Sequence, residues 1–159
     1  MKLKLLAAGA MLATIAVAGP ASAQPSTSAD PNYGTLTLSS GFNNDPRVVR
    51  VTSGGQIDAS TIRSGCTGYV SEASDVRVVY SNAGSLPLII SANSSDDTTL
   101  VVNGPDGTWY CDDDGGVNGL NPSIRFNNPR NGRYEIWVGS YQRGQNSAAQ
   151  LHVSEISSQ

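Results

Sequence analysis

The segment Cys111-Asp112-Asp113-Asp114-Gly115-Gly116-Val117-Asn118-Gly119-Leu120-Asn121-Pro122 sets three adjacent carboxylates ahead of a run of glycines and two asparagines. A hard cation such as Ca²⁺ takes about six to eight oxygens, and Asp carboxylates, Asn amides and loop carbonyls are the right supply. The spacing fits neither the EF-hand loop nor the Gly-rich calcium repeat, because Gly116 and Val117 stand where a ligand and the turning glycine are required. Read plainly, the segment is a solvated acidic turn between strands. Read as a cation site, its ligands are Asp112, Asp113, Asp114 and Asn118, joined from a second loop by Asp97 with Asp96 beside it. Neighbouring carboxylates on one turn do not flank a cleft, so acid and base attack on a glycosidic bond has no support.

Trp137 and Tyr141 fall on the face opposite Tyr134, Ile136 and Val138 if Arg133 to Tyr141 is one strand, so both are expected to point away from the core. Such a pair forms a platform for sugar rings or peptide side chains, unless the leader or a loop covers it. The only histidine, His152, alternates with Leu151 and Val153 and is expected to face solvent. No G-x-S-x-G elbow accompanies it, and one His with two Cys cannot build a usual zinc site. The sequence predicts no enzyme, and no cofactor beyond Ca²⁺ at the acidic turn.

These groups must be held by the rest of the chain. Lys2 and Lys4 precede the apolar run Leu5 to Ala18, and Ala21-Ser22-Ala23 supplies the small-x-small pattern of a signal-peptidase site. Residues 1–23 are therefore expected to be a secretory signal, too short to span a bilayer, which needs roughly 20 apolar residues. Export brings Cys66 and Cys111, the only two cysteines, into a compartment where disulfides persist. They are expected to pair, without the C-x-x-C of a redox centre. Beyond residue 23 the chain carries eight arginines against thirteen acids. That balance opposes nucleic acid and offers no polybasic patch to anionic lipid.

Residues 24–32 hold Pro, Ser, Thr and Asp but no apolar side chain larger than Ala, and read as a flexible leader. Residues 33–159 read as one domain. Short runs rich in Val, Ile, Thr and Tyr alternate with Gly, Pro, Asn and Asp, and no window repeats apolar residues at helical spacing. The strands expected are 34–39, 47–53, 57–62, 76–81, 86–92, 98–103, 108–111, 122–127, 133–141 and 148–156. Alternation turns Val49, Val51, Val76, Val78, Tyr80, Leu88, Ile90, Leu100, Val102, Ile124, Phe126, Tyr134, Ile136, Val138, Leu151 and Val153 inward. This is an all-β, antiparallel sandwich.

Asp97-Thr98-Thr99-Leu100-Val101-Val102-Asn103-Gly104-Pro105-Asp106-Gly107, the acidic turn from Cys111, Asn121-Pro122-Ser123-Ile124, and Gly132-Arg133-Tyr134-Glu135-Ile136-Trp137-Val138-Gly139-Ser140-Tyr141 together resemble the bacterial pre-peptidase C-terminal domain. Upstream, Val48-Val49-Arg50-Val51 before Gly54-Gly55, and Cys66-x-Gly68-Tyr69 before Asp75-Val76-Arg77, resemble a variety found in exported proteins of Gram-negative bacteria. The resemblance implies a jelly-roll-like sandwich, an accessory rather than catalytic role, and a periplasmic or secreted location. Its members are usually appended to peptidases. No peptidase sequence accompanies this one, so the expected role is a free-standing binding module for an extracytoplasmic protein or polysaccharide. The alternatives are a structural or cation-binding periplasmic protein, and a secreted hydrolase or peptidase-associated domain.

Overall fold

The computed structural model describes residues 24–159; the expected signal at residues 1–23 lies outside them. Eleven strands form two sheets: β1 (Thr35–Ser39), β2 (Arg47–Thr52), β3 (Ile57–Asp58), β4 (Tyr69–Val70), β5 (Val76–Ser81), β6 (Leu88–Ser94), β7 (Thr98–Asn103), β8 (Trp109–Asp112), β9 (Ser123–Phe126), β10 (Gly132–Ser140) and β11 (Ala148–Ser154). The larger sheet is centred on β10, which pairs with β5 and β4 on one side and β7 on the other. β1 extends it beyond β5, β3 beyond β4 and β8 beyond β7. The smaller sheet runs β2-β11-β6-β9. Successive strands pass repeatedly between sheets, as a jelly-roll-like sandwich requires. Among the described residues the sole helical element is a 3₁₀ turn, Ala59–Thr61, and no helix is long and apolar enough to cross a membrane.

The alternating apolar positions build the core between the sheets. Val76, Val78, Leu88, Ile90, Leu100, Val102, Ile136, Val138, Leu151 and Val153 are all fully buried there. Phe126 stacks edge-on against Tyr110 and Tyr134, with centroids 4.9 and 5.2 Å apart. The hairpin between β7 and β8 closes at Gly104-Pro105-Asp106-Gly107, where Gly107 takes φ +76°. A left-handed residue there is what the turn needs and what a side chain resists.

Three expectations are corrected. Residues 24–32 are bonded rather than loose: Ser26 bridges Ala73, and Arg77 and Arg133 donate to the carbonyls of Ala29 and Thr27. Small polar residues gave no apolar signal for this docking, which is made by the backbone and by charge. The leader enters alongside residues 72–77 in the same direction, so β1 pairs with β5 in parallel, against the antiparallel rule elsewhere. The expected strand 57–62 stops after two residues, because Asp58 caps the 3₁₀ turn by accepting from the Ser60 amide at 2.9 Å.

That early stop changes the outer face of the large sheet. Residues 57–70 cross it, and Ile57, Ala59, Cys66 and Val70 pack with Val101 and Trp137 into a second, smaller core. Cys66 and Cys111 are bonded, with Cα atoms 5.3 Å apart, and fasten this layer to β8.

Candidate functional site

Trp137 is fully buried, so it cannot form an outward platform with Tyr141. It does face away from the central core, as alternation requires. The layer at residues 57–70 covers it, and its ring lies 5.4 Å from that of Trp109. Tyr141, at the end of β10, remains 47% exposed beside Thr67, Gly68 and Tyr69. His152 is also buried, contrary to expectation, with neither ring nitrogen bonded. It lies between Val48 of β2 and Ser91 of β6, and the Gln159 amide reaches across to the Ser91 hydroxyl at 3.1 Å. The segment after β11 has folded back over the sheet.

The acidic turn divides into two parts. Asp112 is a scaffold: its Oδ2 accepts from the Gly115 amide at 2.8 Å and the Ser123 amide at 2.7 Å. Asn118 turns toward the small sheet and donates to Asn93 at 3.3 Å. Neither belongs with the remaining carboxylates. Asp97, Asp113 and Asp114 do converge, each offering an oxygen within 4.8 Å of the others.

The ladder explains the meeting. Leu100 pairs with Asp112, so Asp113 continues β8 beside Thr99, while Asp97 lies two residues back on the Thr99 face of β7. Asn121 then fastens the loops: its Oδ1 accepts from the Ser94 amide and the Thr98 hydroxyl, both at 2.9 Å, and its Nδ2 donates to the Ser94 carbonyl at 3.0 Å. The Tyr141 amide donates to the Asp97 carbonyl at 3.2 Å, bringing the end of β10 to the same place. Thr99 is wholly buried below, against Gly68, whose φ of +83° and missing Cβ let the covering layer approach.

Electrostatically the cluster is unfinished. Burial raises the carboxyls of both Asp97 and Asp113, and Asp114 raises them further by repulsion. Asp97 Oδ1, Asp113 Oδ1 and the Thr99 hydroxyl are buried without a hydrogen-bond partner. Two buried carboxylate oxygens held on two braced loops beside a third carboxylate favour a shared proton or a cation, and oxygen-only donors suit Ca²⁺. Val117 and Leu120 on the same loop are 76% and 55% exposed.

No protein family matches the chain, and no curated protein matches it. Among solved structures it is similar to the pre-peptidase C-terminal domain of collagenase from Bacillus anthracis, at 14% identity and a TM-score of 0.45, over 79% of this chain and 100% of that one. It is also similar to PliG of Aeromonas hydrophila, a periplasmic inhibitor of g-type lysozyme, at 15% identity and a TM-score of 0.40, over 79% and 98%.

Of the residues expected at the acidic turn, Asp97, Asp113 and Asp114 lie together, whereas Asp112 and Asn118 are bonded elsewhere. Sequence reading passed over Thr99, whose position opposite Asp113 follows from the register of β7 on β8. It also missed the leader's charged anchor, where Glu135 lies buried between Arg77 at 2.5 Å and Arg133 at 3.1 Å and accepts from Ser74. An acid inside an apolar alternation was the available signal.

Proposed function

We propose that the chain is an exported, non-catalytic binding module for an extracytoplasmic protein or polysaccharide, and that Ca²⁺ held by Asp97, Asp113 and Asp114 shapes its binding end. The observation that carries this reading is the convergence of those three carboxylates from two loops, with two of their oxygens buried and unbonded. Ca²⁺ would neutralise the cluster and draw residues 95–97 and 112–121 into one surface with the exposed Val117, Leu120 and Tyr141. The disulfide supports a location outside the reducing cytoplasm. Nothing in the cluster supports hydrolysis, since its acids share one small volume instead of flanking a substrate cleft.

Retention of envelope proteins and glycans on the immobilised protein, in Ca²⁺ and in EGTA, tests the proposal. A ligand retained in Ca²⁺ and released by EGTA, and lost with Asp113→Asn, is the expected result. Failure to find any ligand whose retention requires both Ca²⁺ and Asp113 would overturn it.

A further inference from the structure

The small sheet carries, on its outer face, a row of side chains that includes none of the clustered carboxylates. Arg50 of β2 stands opposite Gln150 of β11, and Gln150 stands opposite Asn93 of β6. Their strand neighbours Val49, Val51, Ala92, Ala149 and Leu151 turn into the core, so these three point outward. Adjacent strands lie about 4.8 Å apart, and the row therefore presents a guanidinium and two carboxamides over roughly 10 Å.

Two shallow troughs of about 500 and 550 Å³ border this row, and Arg50 and Gln150 wall both. Arg50 is exposed, and among the described residues it makes no ion pair, as is also true of Arg47, Arg63, Arg125 and Arg143; of these it alone stands in this row. Asn118 occupies the Asn93 carbonyl oxygen, which leaves the Asn93 amide nitrogen to donate outward. In a chain with an excess of acids, this is a local arrangement of hydrogen-bond donors around one free cation.

We propose that the row binds a carboxylate-bearing polysaccharide. The Arg50 guanidinium takes a sugar carboxylate through two parallel N–H bonds, and the amides of Gln150 and Asn93 meet hydroxyls of the adjoining ring. Val48, 47% exposed in the second trough, gives flat apolar ground for the C–H face of a sugar. Neither trough is an enclosed apolar pocket of the kind that anchors a peptide side chain. The row contains none of the three clustered carboxylates, so it stands whether or not they hold Ca²⁺.

Affinity electrophoresis of the purified protein decides the matter, in gels cast with polygalacturonate, dextran or polyglutamate and with EGTA throughout. The expected result is retardation by polygalacturonate alone. Arg50→Ala should weaken it roughly tenfold or more, as loss of a charge-assisted pair does. Gln150→Leu should weaken it as well, while Arg125→Ala on the neighbouring β9 leaves it unchanged, all with wild-type melting temperatures. No retardation by polygalacturonate, equal retardation by dextran or polyglutamate, or undiminished retardation of Arg50→Ala would overturn the proposal.

Discussion

The ring of Trp137 lies 5.4 Å from the ring of Trp109, centroid to centroid, with the two planes tilted by 41°. One tryptophan belongs to the middle of the large sheet and the other to the strand that carries Cys111. The disulfide thus closes the layer that keeps Trp137 dry. Reducing the Cys66–Cys111 bond is expected to cost about 2–5 kcal/mol of stability and to shift tryptophan emission to the red. Urea unfolding with and without reductant, followed by fluorescence, measures both effects.

Trp137 and Tyr141 should behave as opposites despite sharing a strand face. Trp137→Ala empties part of the second core and is expected to cost about 3–5 kcal/mol, whereas Tyr141→Ala, at an exposed strand end, should stay within about 0.5 kcal/mol. Chemical denaturation of the two variants compares them directly.

The central sandwich was legible because its strands follow a strict period of two: every residue assigned inward from Val76 to Val153 packs in or against one core. Trp137 obeyed the same period, yet alternation alone could not show that residues 57–70 would lie over it. Nothing local marked that layer except Cys66, and a cysteine does not announce the depth of what it covers. His152 was misplaced for a related reason, since the chain after β11 doubles back over an outward position. The candidate site was half legible. Composition pointed to the acids, but only the register of β7 on β8 separates Asp113, which joins Asp97, from Asp112, which ties its own turn.

Buried titrating groups predict two opposed effects of pH. Burial pushes the Asp75 carboxyl from an ordinary 3.8 up to about 7, against the Val138 amide and Asn32 side chain that bond its ionised form. Between those values the native state keeps a proton that the unfolded chain has lost, so this residue makes stability fall as pH rises from about 4 to 7. Asp97 and Asp113, also raised by burial, act in the same direction. Asp75→Asn should flatten much of that slope in urea midpoints taken across the range.

His152 acts the other way. Burial lowers its pKa from the ordinary 6.5, so below that value the unfolded chain binds a proton that the native state refuses. Stability from this source is present above about 6.5 and declines as the solution becomes more acid. His152→Gln should abolish the acid-side decline and leave the slope due to Asp75 exposed, as the same urea series would show.

The leader is held by charge in a dry place, and its removal should be felt throughout the large sheet. Glu135→Gln leaves Arg77 without its buried partner and is expected to cost about 3–5 kcal/mol, the usual penalty for breaking such a pair. Faster amide exchange at residues 26–35 would accompany it. Protection there equal to that of the wild type would show that the ion pair does not hold the leader.

Thermal melting during a Ca²⁺ titration tests the account of the acidic cluster most directly. Ca²⁺ at about 100 times its dissociation constant should add about 2.7 kcal/mol to the stability of the wild type and raise its melting temperature. Asp113→Asn should melt higher than the wild type in EGTA, because a repulsive buried charge is gone, and should gain little from Ca²⁺. A melting temperature that does not move at millimolar Ca²⁺, or that moves equally in Asp113→Asn, would contradict the claim that Asp97, Asp113 and Asp114 form a cation site.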